Sequence, residues 1–276
     1  MNSIIELLGY DFFQKAIYAS LLTGVICGII GTYIVAKRIV FISGGITHAS
    51  FGGIGMAYYW GLSPILGATI FAIASAIGIQ SISENGKLRE DSMIGILWAA
   101  GMAIGILFIF LTPGYAPNLM TYLFGSILTV SYTQIYLMIA LVIIVITIFS
   151  IFYRPIFYIA FDKEYAKTHN LPVKTFNTIL ICLVALTIVQ SINVIGIILA
   201  IAYLTIPQAI ASLYFKNFKP LLIASAIICP IGSIIGLFTS AVLDFPSGAT
   251  IIMVFVILYM IAYSINFINI IIRKKA

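Results

Sequence analysis

One imidazole in this chain stands where imidazoles are rare. The stretch 41–60, FISGGITHASFGGIGMAYYW, is long and apolar enough to cross a bilayer, since about 20 residues at 1.5 Å rise cover a hydrocarbon core of roughly 30 Å. It carries His48 near its middle, together with five glycines. At about 100° per residue, Gly44, Gly45, His48, Gly52, Gly55 and Tyr59 fall on one face of a helix. Small residues on a common face let a neighbouring backbone approach closely. An imidazole at that depth points into the bundle or a wet cavity rather than into lipid. In a soluble core a lone histidine reads as a hydrogen-bonded packing residue; inside a membrane a functional role is the stronger reading.

Other catalytic chemistry is sparse. There is no G-x-x-x-x-G-K-[ST], so the chain has no phosphate loop of its own, and neither H-E-x-x-H nor G-x-S-x-G occurs. The second histidine, His169, lies in a charged loop and reads as solvated. Cys27, Cys182 and Cys229 sit singly in three apolar segments, which fits packing rather than a disulfide frame or metal cluster. Transport fits these residues better than catalysis, because the unusual ones are small, polar and placed at membrane depth.

The elements that must position them are helices in lipid. Of 276 residues 62% are hydrophobic and 8% charged, against about 25% charged in a soluble domain. With a mean hydropathy of +1.18, this reads as an integral membrane protein, an all-α polytopic bundle forming a single transmembrane domain over 1–276. The net charge of +6 is spread between apolar segments and forms no contiguous patch, so it does not indicate nucleic acid. No basic n-region or cleavage site precedes the first apolar run. Nine apolar runs are expected to span, at 13–36, 39–60, 62–82, 93–112, 132–152, 175–192, 195–213, 219–241 and 248–271, and a count of eight stays open. Segment 113–131 has room for a short re-entrant helix. With the carboxyl terminus inside, every basic residue except Lys15 falls on the cytoplasmic side.

Three GxxxG spacings, Gly24–Gly28, Gly101–Gly105 and Gly232–Gly236, predict close helix packing. The outer loops are almost uncharged. Asp244 in LDFPSG is their acidic residue, and it reads as a loop or cap residue, with a place on a transport route as the rival. Segment 195–220 runs apolar to Thr205, meets Pro207 and continues as a short interfacial helix ending in Lys216 and Lys219. Proline there removes a backbone hydrogen bond and bends the chain. Membrane anchoring by lysines and aromatics, and docking into a groove of a cytoplasmic partner, explain this helix equally well.

Taken together in order, several stretches resemble the metal-type ABC permeases, the family of zinc and manganese uptake permeases. FISGGITHASFGGIG is similar to the family's second-helix run, Gly-Asp-(small)-x-[Ser/Thr]-His-Ala. LREDSMIGILWAAGMAIGILF resembles its acidic start to the fourth span, and FDKEYAKTHNLPV its D-x-E-x-A-x-x-x-G-x-P loop. GIILAIAYLTIPQAIASL resembles its run into Ile-Pro, and DFPSGATI its D-x-P-[Ser/Thr]-G-x-x-I segment. The match covers essentially residues 15–265. The family's aspartate is Gly44 here and its loop glycine is Asn170.

The resemblance implies a permease, as a homodimer above two ATPase subunits, fed by an extracytoplasmic metal-binding protein. The expected setting is a bacterial-type inner membrane with the carboxyl terminus cytoplasmic. The cargo is a divalent transition metal; no cofactor is bound permanently, and ATP sits on the partner. His48 falls on the family's histidine on the metal route. Without the carboxylate at 44, hydroxyls of Ser43 or Thr47 are expected to join symmetry-related imidazoles, a set that favours zinc over manganese. Gly44, Gly45, Gly52 and Gly55 are expected to serve packing and gating between the dimer's helices. The helix over about 206–219, with Pro207, Gln208, Ser212, Lys216 and Lys219, is expected to couple to the ATPase. Two rivals remain: a stand-alone secondary transporter or channel, which would need an acidic residue at membrane depth, and a membrane-embedded enzyme, which would need a second convergent catalytic group.

Overall fold

A computed structural model describes residues 4–85, 90–113 and 125–275. Its helices are α1 (Ile4–Gly9), α2 (Asp11–Ala36), α3 (Val40–Tyr59), α4 (Pro64–Asn85), α5 (Glu90–Leu111), α6 (Tyr132–Ile151) and α7 (Tyr153–Phe161). They continue with α8 (Lys163–Thr168), α9 (Val173–Ile195), α10 (Ile197–Tyr203), α11 (Ile206–Tyr214), α12 (Phe218–Leu243) and α13 (Ser247–Lys275). No strand occurs among the described residues. This is the expected all-α membrane bundle. Eight helical stretches among the described residues are long and apolar enough to cross a membrane. Helix α3 is not one of them on hydropathy, because glycines, serines, Thr47 and His48 dilute it, yet it is a continuous helix of 20 residues.

One expectation is refined. The span expected at 195–213 is one of these eight, at Ile197–Tyr214, but it is broken into α10 and α11 with Leu204 and Thr205 between them. Of the expected re-entrant segment, residues 114–124 lie outside the described residues, and the part after them holds a single 3-10 turn at Ile127–Thr129. Lys87 and Arg89 of the basic loop also lie outside them.

The chain forms two compact units. One comprises 1–35, 124–147 and 194–276. Here Gly24 and Gly28 of α2 lie against α12, where a Cβ on Gly24 would meet Pro230 Cα at 2.6 Å and one on Gly28 would meet Ala226 Cα at 2.5 Å. Gly236 of α12 is as close to α13, 2.6 Å from Ile251 Cα on the same measure. At the start of α2, Asp11 pairs with Lys15 at 2.7 Å and accepts from the Tyr132 hydroxyl. The other unit comprises 36–123 and 148–193. It is built around α3, which packs on α4 and α5 and buries fourteen of its residues. Gly101 and Gly105 of α5 lie on α3, completing the third predicted GxxxG contact. Backbone-to-backbone approach of this kind maximises dispersion where no hydrophobic gain separates helix from lipid.

Three non-glycine residues among those described have left-handed backbone, Arg38, Asn170 and Asp244. Asn170 (φ 56°) follows α8, its N–H donating to Lys167 O at 2.9 Å while Leu171 N–H donates to Ala166 O at 3.2 Å. That closing turn favours glycine, and asparagine is among the few residues that tolerate it. Asp244 (φ 54°) ends α12 in the same way, exposed, with its N–H bonded to Ser240 O. It is a helix-terminating residue, as the simpler sequence reading expects.

Candidate functional site

Helix α3 places its glycine face on α5 of the same chain. A Cβ on Gly44 would meet the Trp98 ring at 3.0 Å, one on Gly45 would meet Ile94 Cγ2 at 3.0 Å, and one on Gly52 would meet Gly101 O at 3.0 Å. Further along, Tyr59 packs edge-on against Phe108, ring centroids 5.4 Å apart. The stripe does serve close helix packing. Its partner is α5 within one chain, however, so these glycines do not present a bare face through which two copies close on each other.

His48 stands in that seam. Its ring stacks on Trp98 with centroids 4.1 Å apart and planes 16° from parallel. The imidazole is half-buried, and its Nδ1 is buried with no hydrogen-bond partner. An aromatic stack of this kind contributes about 0.5–1.5 kcal/mol and fixes the ring plane without using either nitrogen. The histidine is thus oriented by a π-face, and its Nδ1 makes no hydrogen bond. The indole also closes the room beside position 44, where the resemblance would have put a carboxylate.

Ser43 and Thr47 do not converge with it. The Ser43 hydroxyl donates to Val40 O at 2.6 Å, the Thr47 hydroxyl to Ser43 O at 2.7 Å, and both residues are fully buried. On a regular helix they lie about 140° and about 100° around the axis from His48. Their expected place beside the imidazole is therefore corrected: these hydroxyls back-bond to their own helix, as serine and threonine do in apolar surroundings. Among the described residues no group of three or more histidine, cysteine or acidic side chains converges. One chain contributes one imidazole. His169 is exposed at the end of α8, beside Tyr158 and Tyr165.

The break before α11 is the second candidate element. Gly196 (φ 81°) starts α10, and Pro207 stands in the first turn of α11, where its missing N–H has no helical partner to lose. The proline is therefore a restart signal rather than a kink inside one helix. Pro207 and Gln208 face inward. Gln208 is fully buried and its amide donates to Cys27 O at 2.8 Å and Tyr203 O at 3.2 Å, tying α11 to α2 and to the end of α10. Gly31 makes the room: a Cβ there would meet Gln208 Cδ at 2.7 Å. As surface contacts for a partner, Pro207 and Gln208 are thus corrected, since burial leaves them nothing to touch outside the unit. The helix ends at Tyr214, so Lys216 lies in the linker and Lys219 in the first turn of α12, both exposed, and Ser212 is half-buried. Tyr214 donates to Ala262 O of α13 at 2.8 Å. Beside it Leu213, Lys216, Asn266, Asn269, Ile270 and Arg273 border a cleft of about 390 Å³.

Trp98 has no part in the sequence-based site. The signal for it is periodic: Ile94, Trp98, Gly101 and Gly105 share one face of α5 at helical spacing. A second polar pair that sequence reasoning does not join is buried in the other unit, where the Tyr203 and Ser233 hydroxyls are hydrogen-bonded to each other.

Comparison with known proteins agrees with this architecture. The ABC 3 transport family matches residues 9–266. The manganese transport system membrane protein MntC of Halalkalibacterium halodurans is 34% identical over 258 residues, 94% of this chain and 88% of that protein. The chelated iron transport system membrane protein YfeD of Yersinia pestis is 29% identical over 273 residues, 98% of this chain and 92% of its own length. Among solved structures, PsaBC from Streptococcus pneumoniae in complex with Fab has a chain that superimposes with a TM-score of 0.84 at 27% identity, over 94% of each chain. The chain belongs to the ABC 3 transport family, the metal-type ABC permeases that its motifs resemble.

Proposed function

We propose that this chain is the membrane permease of an ATP-driven importer for a divalent transition metal. The metal is cargo rather than a resident cofactor, and ATP is bound and hydrolysed by a separate cytoplasmic subunit. The observation that carries the reading is His48, an imidazole held by stacking, with its buried Nδ1 unpartnered, within a chain whose residues 9–266 match the family. A single imidazole from each of two chains is too few ligands for tight capture, which suits an ion that must leave again. An extracytoplasmic binding protein delivers the ion, the carboxyl terminus lies inside, and two copies of the chain enclose the route.

The ATPase docks on the exposed side of the α11 region, at Ser212, Lys216, Lys219 and the cleft against α13. Gln208 fastens that helix from behind, so that a push on its surface is carried to α2. Among ions, imidazole without a carboxylate favours late divalent metals, zinc first. Manganese is the second reading, favoured by the names of relatives such as the Halalkalibacterium protein.

The test is uptake into proteoliposomes containing the permease, its ATPase and binding protein, scanned over zinc, manganese and iron. Uptake should require ATP and should fall at least tenfold in His48→Ala while the complex still assembles and hydrolyses ATP. Unchanged uptake in that variant, or uptake by the permease alone without nucleotide, would refute the reading.

A further inference from the structure

Three residues on two helices of one unit form a single steric arrangement. Gly44 and His48 stand one turn apart on α3, and Trp98 of α5 meets both. The six-membered ring of the indole fills the space beside residue 44: a Cβ there would lie 3.0 Å from Cζ3, 3.6 Å from Cη2 and 3.7 Å from Cε3. The same indole lies almost parallel to the imidazole, with centroids 4.1 Å apart. To make room at 44, α5 as a whole would have to give up its contacts one turn to either side. Before Trp98, Ile94 Cγ2 lies 3.0 Å from the Cβ that Gly45 would carry. After it, a Cβ on Gly101 would lie 2.5 Å from Ala49 Cα and 2.6 Å from His48 O. What yields to bulk at 44 is therefore the indole itself, a side chain 38% exposed.

A partly exposed tryptophan in a spanning helix ordinarily faces lipid or the headgroup belt, and its replacement there leaves the interior unchanged. Trp98 differs in two respects. A glycine on the facing helix makes room for it, and its π-face covers a ring whose Nδ1 is buried without a hydrogen bond. A metal ion on an imidazole draws electron density from the ring, and a stacked indole, the best cation-attracting face among side chains, favours that state. The indole brings no oxygen donor, so the wall it makes suits late divalent ions over those that need a shell of oxygens. We infer that Trp98 is a positioning residue for His48, that it raises the affinity of the imidazole for the ion, and that it does so only while residue 44 is glycine. This rests on the permease reading, in which His48 meets the ion, and adds the two residues that govern the meeting.

The chain carries two tryptophans, Trp60 and Trp98. In a Trp60→Phe background the emission of the purified protein in detergent reports Trp98 alone, and it is followed as zinc or manganese is added. Zinc should change the emission, manganese should need a concentration about tenfold higher, and His48→Ala should abolish the zinc response. Affinity is measured in parallel by equilibrium dialysis against radioactive zinc, with binding to His48→Ala subtracted. Gly44→Val should weaken zinc about tenfold and Gly44→Ala about threefold, the size of the lost stacking. Gly44→Ala keeps the test open if the valine variant does not fold. Trp98→Phe is the conservative rescue: its smaller ring still stacks and leaves room at 44, so Gly44→Ala/Trp98→Phe should bind zinc as tightly as Trp98→Phe alone. A zinc response that survives His48→Ala, unchanged affinity in both Gly44 variants, or effects of Gly44→Ala and Trp98→Phe that simply add would overturn the inference. So would silence of the parent chain up to millimolar zinc. A lower melting temperature in Gly44→Val with zinc affinity unchanged assigns the two rings to packing alone and overturns it too. The expected pattern in a chain that never supports ATP-driven uptake would uphold the inference and refute the permease reading. ATP-driven zinc uptake with both Gly44 variants unaltered in zinc affinity would do the reverse.

Discussion

Where α3 meets α5, backbone lies against backbone: the Gly52 site faces Gly101 O, and a Cβ at Gly101 would meet Ala49 Cα at 2.5 Å and His48 O at 2.6 Å. Where α11 meets α2, the principal tie is one amide, from Gln208 to Cys27 O. The first contact is continuous along the helices and has no slack, since every position that would add an atom is occupied. The second is one buried polar tie on a nine-residue helix that is also hydrogen-bonded to the end of α10 and, through Tyr214, to α13. The difference is between a continuous backbone seam and a point attachment.

The largest effect should come from breaking the seam. Gly101→Val places two methyls against the α3 backbone, where no side chain can yield, and overpacking of that kind costs about 1–3 kcal/mol or more. The variant should lose several degrees of melting temperature in detergent or fail to yield monodisperse protein. Gly95→Ala on the same helix, with nothing within 4 Å of the added carbon, is the control and should be neutral. If both variants melt alike, the seam is not the rigid element.

Next in size is Gln208→Leu. It removes two donated hydrogen bonds in a buried place, to the Cys27 and Tyr203 carbonyls, about 1–3 kcal/mol. Hydrogen exchange should rise selectively across 206–214 while α3 stays protected. Coupling between ATP hydrolysis and uptake should fall more than global stability does. Uniform loss of protection across both units would place α11 inside the rigid body and erase the contrast. Trp98→Ala is smaller still in stability, because the indole is partly exposed, losing about 0.5–1.5 kcal/mol of stacking. It should nevertheless alter the order of preference among zinc, manganese and iron, since His48 is then free to turn.

How much of this was legible depends on what sets each feature. Spans and breaks reflect local composition, so the apolar runs, a disruption at Pro207 and the tight approaches at all three GxxxG pairs could be read from the chain. What a face meets is a tertiary fact. The periodicity of α3 showed that Gly44, His48 and Gly52 share a side, but nothing local said that α5 rather than a second copy fills it. Gln208 misled for the same reason: beside an interfacial lysine pair it reads as surface, and only Gly31, far away in sequence, makes the hole that takes it. Ser43 and Thr47 were drawn to the site by sequence proximity to His48, although helical rotation turns them away and their hydroxyls find carbonyls one turn back.

The smallest expected effect tests whether backbone strain matters outside both regions. Asn170 has φ 56° where the family pattern has glycine, and asparagine carries a modest cost in that conformation. Asn170→Gly should relieve that cost, offset in part by the greater freedom of glycine in the unfolded chain, for a net change within about 0.5 kcal/mol. The melting temperature should therefore move by a degree or two at most, and uptake should be unchanged, because α8 is closed by main-chain bonds that do not need the side chain: Asn170 N–H to Lys167 O and Leu171 N–H to Ala166 O. A marked fall in uptake would mean that the amide side chain is recognised by a partner at the cytoplasmic face, and that the α8–α9 turn belongs with α11 among the receiving parts of the molecule.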